Sequence, residues 1–322
     1  MSFEALQNHY RETLQIFEGK FRQSMKTDVA LLDTVMSYIV RRKGKQIRPL
    51  FVFGCAGMAG GIKEATYRGA SLVELLHTAT LVHDDVVDDA DERRGFFSIN
   101  ALWKNKVAVL VGDFLLAKGL LLSIDNTDFQ LLQIVSNAVR EMSEGELLQM
   151  EKARRLDITE AVYFEVIRKK TASLIASCCA VGASSAGASS DITEKFREFG
   201  ENCGLAFQLK DDLLDYGQGD IGKPKGIDIR ERKMTLPLIF ALNHASHDDR
   251  RFMIQTVKNY NTDRKRVARV MEMVKEVGGI TYAQNKMESY RDIALNQLAK
   301  LGHGSDYDMM DMLVKLLTDR EK

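Results

Sequence analysis

The residues most able to do chemistry are two blocks of aspartate. "LVHDDVVDDADERRG", residues 81–95, holds six acidic residues and then two adjacent arginines. Asp84, Asp85 and Asp88 stand at i, i+1 and i+4. On a helix Asp84 and Asp88 share a face, with Asp85 roughly 100° around from Asp84. The spacing returns in "AFQLKDDLLDYG", where Asp211, Asp212 and Asp215 stand in the same register. Like charges at i, i+4 repel, and partial burial raises the cost unless a cation neutralises them. A single acidic trio usually marks a solvated patch. Two matching trios, each entered through an apolar run and followed by a glycine, point instead to two facing sites that share divalent cations and grip a polyanion. Mg²⁺ suits such sites, because it binds through one or two carboxylates, waters and substrate phosphates.

Basic residues recur beside the acids. Arg93 and Arg94 follow the first trio, and Lys223, Lys225, Arg230, Arg232 and Lys233 follow the second. "KGKQIRP" adds Lys43, Lys45 and Arg48. Arginine matches phosphate oxygens in a two-pronged contact, so diphosphate is the natural polyanion. Lys43, Lys225 and Arg232 are read as ordinary surface charges, and His83 as a structural histidine.

Helices must position these groups. The chain has 322 residues, 45% of them hydrophobic, and only three prolines. Phe3, Leu6, Tyr10, Leu14, Phe17 and Phe21 recur at steps of three and four, as one apolar stripe on a helix. That stripe also argues against a signal peptide. "DITE" occurs at 157–160 and at 191–194, each time as a helix start with an aspartate able to cap. No alternating segment is long enough for a convincing strand. The expected fold is all-α, with ten or more helices in one domain spanning residues 1–322. Tyr216 to Lys233 is the one long irregular stretch, and such loops are usually functional.

Charge excludes some partners. Lys plus Arg and Asp plus Glu both total 45, so nothing global favours nucleic acid. "VAVLVGDFLLAKGLLLSI" is interrupted by Asp113 and Lys118, and is expected to be a buried core helix rather than a transmembrane segment. The four cysteines form no CxxC pair, which points to inert thiols in a reduced, cytoplasmic protein.

Taken in order, "GKQIRP", "ELLHTATLVHDDVVDDADERRG", "GDFLLAKG", "KKTASLI" and "GLAFQLKDDLLDYGQGDIGKPKGIDIRERKMTLPLI" resemble the motifs of the trans-polyprenyl diphosphate synthase family, over nearly the whole chain. The resemblance implies the isoprenoid synthase fold, helices around a central active-site cavity. It implies head-to-tail elongation: an allylic diphosphate ionises with the help of Mg²⁺, three ions per site, and isopentenyl diphosphate attacks the cation and loses a proton. Asp84, Asp88 and Asp211 would be the principal metal ligands, supported by Asp85, Asp212 and Asp215. Arg93, Lys170, Lys223 and Lys233 would hold the allylic diphosphate, with Thr171 and Gln208 beside the reacting centre. Lys45, Arg48, His77 and Arg94 would bind isopentenyl diphosphate. The resemblance also implies a homodimer.

Two small departures leave the charges intact: "KGK" replaces a double glycine before the lysine, and Phe97 stands where proline is frequent. In the resembling family a growing tail runs down a tunnel below the first aspartates. Residues four and five before Asp84 are Thr80 and Ala79, too small to close it. They lie one turn beneath Asp84, and the resemblance then implies a long all-trans product of roughly seven to ten isoprene units, of the kind used for quinone side chains. Phe51, Phe53, Leu116 and Leu120 are candidate floor residues. The competing readings are a synthase of shorter products, a class I terpene cyclase, a phosphohydrolase using His83 and Asp84, and a non-catalytic partner subunit. The second intact trio argues against the cyclase, too few histidines against the hydrolase, and both trios against the inactive subunit.

Overall fold

The computed structural model describes residues 2–41, 44–88, 92–93, 96–155, 158–217 and 226–319. These are almost wholly helical, as the periodicity indicates. Among them the sole extended pairing is a two-residue ladder, with Glu92 opposite Phe97 and Arg93 opposite Phe96. It is too short to leave an alternating pattern in the sequence.

The chain forms two compact units. One comprises Met1–Val139, Ser177–Arg197 and Leu301–Met310; the other Arg140–Ala176, Glu198–Lys300 and Asp311–Lys322. In the first unit the N-terminal stripe is carried by two helices, Phe3–His9 and Arg11–Ser24, broken at Tyr10. Leu6, Tyr10, Leu14 and Phe17 are all buried, so the stripe survives the break. Tyr10 donates a hydrogen bond to Asp306, 2.6 Å. The helices Glu64–Val87 and Ile99–Asp125 meet through a shared apolar cluster that includes Leu75, Ala79, Val82, Ala108, Val111 and Leu115. Gly112 lets them approach: a Cβ there would sit 2.1 Å from the His83 imidazole. Ser98 caps the second helix on the Ala101 amide, and its backbone leaves helical geometry at Lys104.

That second helix departs from the buried core helix expected of it. It is long and apolar enough to cross a membrane by composition, yet only 33% of its most apolar window is buried. Ala108, Val111, Leu115 and Gly119 face the core, while Val109, Leu110, Leu120, Leu121 and Ile124 are exposed. Hydropathy alone does not separate a helix apolar on one face from one apolar all round. Leu120, at 43% exposure, is therefore no candidate for a buried tunnel floor; Phe51 and Phe53 are fully buried.

The second unit is built around Leu205, Leu209, Leu236, Leu238, Val270 and Val274. Its Glu160–Ile167 helix is capped by Thr159, which accepts from the Val162 amide. The aspartate expected to cap it, Asp157, lies outside the described residues. At the second "DITE" the cap comes two residues before the aspartate: Ser189 accepts from Ile192, and Asp191 sits inside the first turn of Ser190–Leu214. All four cysteines are free and buried.

Candidate active site

In the first unit one helix carries most of the predicted groups. On Glu64–Val87, Asp84 is exposed and Asp85 is buried, while Asp88 caps the helix end and is also exposed. The register places His77, Thr80, Asp84 and Asp88 along one stripe, about one turn apart at each step. Thr80 donates to the His77 carbonyl, 2.8 Å, and is half-buried. Ala79 points elsewhere, into the packed cluster with Val111, and is fully buried. The two residues therefore do not share one wall: Ala79 packs into the cluster, and Thr80 stays on the stripe of Asp84.

Lys45 and Arg48 come together on one cavity of about 360 Å³, which Asp85, Glu74, Phe17 and Leu81 also line. His77 is not among its lining residues. Arg48 is fixed by a two-pronged ion pair to Glu74, Nε to Oε1 at 2.8 Å and Nη2 to Oε2 at 3.1 Å. Burial works to lower the Arg48 pKa, but the Glu74 charge and hydrogen bonds outweigh it and raise the value. The guanidinium is thus held charged in one orientation. His83 turns toward the Ile99–Asp125 helix, 3.3 Å from the Val109 carbonyl and 3.5 Å from Asp113, which suits the structural role expected of it. Arg93 lies in the short ladder; Arg94, Lys43, Lys223 and Lys225 lie outside the described residues.

In the second unit Lys170 and Thr171 sit in a single π-helical turn, Arg168–Ala172. Such turns often mark functional sites, because the extra residue re-aims the side chains around it. Lys170 pairs with Glu146, and Lys169 with Glu144 at 3.1 Å. A chain of hydrogen bonds starts at Thr171. Its hydroxyl donates to the Gln208 carbonyl, 2.7 Å. The Gln208 amide donates to one oxygen of Asp212, 2.8 Å, and the Tyr163 hydroxyl donates to the other, 2.6 Å. Asp215 accepts from the Ile227 and Asp228 amides, 2.9 and 3.2 Å. Those amides open the short helix Ile227–Arg230, entered through Gly226 at φ 71°. A side chain on Gly226 would also collide with Val267 and Met271.

The carboxylates here are crowded. Burial pushes Asp212 up to about 6, against the pull of Tyr163 and Gln208 and with added repulsion from Asp211. Burial, then Asp212 and Asp215, push Asp228 up to about 7. Lys233 approaches Asp228 at 3.8 Å and Glu231 at 2.5 Å, and burial offsets part of the rise in its pKa. Asp228, Glu74, Glu146 and Tyr163 were not singled out from sequence. Asp228 read as one charge among many in a loop, and the other three depend on partners distant in the chain.

Among the described residues no three His, Cys, Asp or Glu side chains converge as a closed metal cage. The donor set instead suits a hard cation that completes its shell with waters and substrate oxygens. Carboxylates pushed toward protonation are those that a bound divalent cation would relieve.

An all-helical chain with paired DDxxD motifs, a lysine–threonine π-turn and an arginine-bearing cavity defines an isoprenoid-type prenyltransferase. The chain matches the polyprenyl synthetase family over residues 29–274 and belongs to it. It is similar to the octaprenyl diphosphate synthase of Escherichia coli, 35% identical over 281 residues and 87% of each chain. It is similar to the geranylgeranyl diphosphate synthase of Saccharolobus solfataricus, 31% identical over 310 residues, 94% of this chain and 93% of that one. A polyprenyl synthase from Caulobacter crescentus, solved with calcium and isoprenyl diphosphate, superposes with a TM-score of 0.89 at 33% identity, covering 100% of this chain and 98% of that one. The chain is a prenyltransferase that condenses isopentenyl diphosphate onto an allylic diphosphate.

Proposed function

We propose that this chain makes a long all-trans polyprenyl diphosphate, of roughly seven to ten isoprene units, and that it acts as a cytoplasmic, Mg²⁺-dependent homodimer folded as a single domain. The small side chain of Thr80, one turn below Asp84 on the same stripe, carries the long-product reading. Asp84, Asp88 and Asp211 would hold the ions, with Asp85, Asp212 and Asp215 in support. Bound Mg²⁺ would supply Lewis-acid stabilisation of the departing diphosphate.

The protein groups do the rest. Lys170 and Lys233 place positive charge for the allylic diphosphate, as Arg93 and Lys223 would. Thr171 and Gln208 present hydroxyl and amide dipoles to the ionising carbon. Arg48, aimed by Glu74, and Lys45 hold isopentenyl diphosphate in the cavity they line, with its apolar wall taking the five-carbon group. The resemblance would add Arg94 and His77 to the isopentenyl diphosphate site, although His77 does not line this cavity. No protein nucleophile is required.

The dimer reading rests on the outer face of Ile99–Asp125, where Val109, Leu110, Leu120, Leu121 and Ile124 are uncovered. Exposed apolar side chains gathered on one helix often meet a partner. Sedimentation at twice the chain mass would support it, and a monomer at micromolar concentration would overturn it. A shorter product remains a second reading, favoured by the likeness to a geranylgeranyl diphosphate synthase. The functional test strips the protein with a chelator and supplies farnesyl diphosphate and labelled isopentenyl diphosphate. Incorporation restored by Mg²⁺ is expected; incorporation indifferent to the chelator would overturn the metal assignment.

A further inference from the structure

We infer that Tyr163, which lies in none of the aspartate or lysine motifs, is a positioning residue for the second aspartate cluster. It aims Asp212 and thereby sets how tightly the cluster takes up a divalent cation with diphosphate. The inference rests on the metal-site reading above.

Tyr163 is 4% exposed, on a helix that leads directly into the π-turn of Lys170 and Thr171. Its hydroxyl reaches Asp212 at 2.6 Å, in a buried contact between residues 49 apart in the chain. The carboxylate orients the rest of this chain. Asp212 accepts, so Gln208 turns its amide nitrogen to Asp212 and its carbonyl oxygen to Thr171, whose hydroxyl then donates. Each Asp212 oxygen therefore accepts from one neutral donor and keeps a lone pair for a cation or its water. Neither donor alone stops the carboxylate turning about its Cβ–Cγ bond; the two on opposite oxygens do. Because one string of hydrogen bonds joins Tyr163, Asp212, Gln208 and Thr171, a change at the hydroxyl reaches residues that face the substrate.

The variant Tyr163→Phe removes one oxygen and leaves the ring, which packs edge-on against Phe164 at 5.3 Å. The control is Tyr282→Phe, whose hydroxyl donates to Glu160 on the same helix at 2.8 Å and touches no carboxylate of the cluster. Binding of Mg²⁺ with inorganic diphosphate is measured by calorimetry, and Mg²⁺ dependence of turnover beside it. Tyr163→Phe is expected to weaken Mg²⁺–diphosphate binding about tenfold. It should also lower kcat at limiting Mg²⁺, with partial recovery at high Mg²⁺ and an unchanged KM for isopentenyl diphosphate. Tyr282→Phe should match the unaltered chain. Equal shifts in both variants, or none in Tyr163→Phe, would overturn the inference. If the unaltered chain itself binds no Mg²⁺–diphosphate, the metal-site reading fails first. Should Tyr163→Phe not fold, the unaltered chain labelled at tyrosine Cζ with ¹³C decides: one buried tyrosine signal must move on titration with Mg²⁺ and diphosphate. A spectrum in which none moves overturns the proposal.

Discussion

Replacing Asp228 by Asn should stabilise the metal-free protein while impairing its response to metal. Asp228 is half-buried beside Asp212 and Asp215, and its carboxyl is pushed from 3.8 up to about 7. A raised folded-state value means that ionisation opposes folding. The penalty is absent below the unfolded value, grows as pH rises, and is complete above the folded value. Three pH units convert to about 4 kcal/mol, and coupling to Asp212 and Asp215 reduces what one substitution recovers to about 2–3 kcal/mol at pH 8. For a chain of this size that is roughly 3–4 °C in Tm. Asn keeps the backbone amide that donates to Asp215, and Lys233 keeps Glu231. The assay is a thermal melt of both proteins at pH 8 and pH 5, with chelator and again with Mg²⁺ and inorganic diphosphate. Asp228→Asn should melt higher at pH 8 in chelator, keep less than half of that advantage at pH 5, and gain less from Mg²⁺ and diphosphate. A variant that melts lower at pH 8 in chelator would refute the crowded-carboxylate account.

Three further outcomes are expected. Thr80→Phe should shift products to shorter chains with little loss of stability, because Thr80 is half-buried about 6 Å below Asp84; product analysis showing unchanged length would contradict the tunnel assignment. Ala79→Phe is the poorer test, since overpacking a fully buried site costs about 1–3 kcal/mol. Glu74→Gln should raise KM for isopentenyl diphosphate about tenfold with kcat nearly unchanged, by releasing Arg48 from its two-pronged partner; steady-state kinetics with an unchanged KM would refute it. An aromatic disulfide reagent at pH 8 should titrate no thiol in the folded chain and all four after denaturation, because every cysteine is buried and burial pushes the Cys178 thiol well above its ordinary value.

What could be read from sequence depended on how locally the physics is written. Aspartates at i, i+1 and i+4 inside apolar runs stand out because helical geometry alone puts two of them on one face. The apolar stripe through Leu6, Leu14 and Phe17 was legible for the same reason, although the break at Tyr10 was not, since its buried ring keeps the pattern unbroken. The outer face of Ile99–Asp125 reads as core because hydropathy does not separate an exposed apolar face from a buried one. Tyr163 and Glu74 were missed because their meaning lies in partners 49 and 26 residues away. A polar ring inside "AVYFEVI" was the one available hint for Tyr163.

The measurement that tests the account most directly is the length of the product. Farnesyl diphosphate, isopentenyl diphosphate and Mg²⁺ are incubated with the purified chain, and the dephosphorylated products are separated by reverse-phase chromatography against all-trans standards. The account expects a ladder ending at roughly seven to ten isoprene units, because Thr80, one turn below Asp84, carries only a small side chain. A single product of four units or fewer would contradict the long-chain assignment.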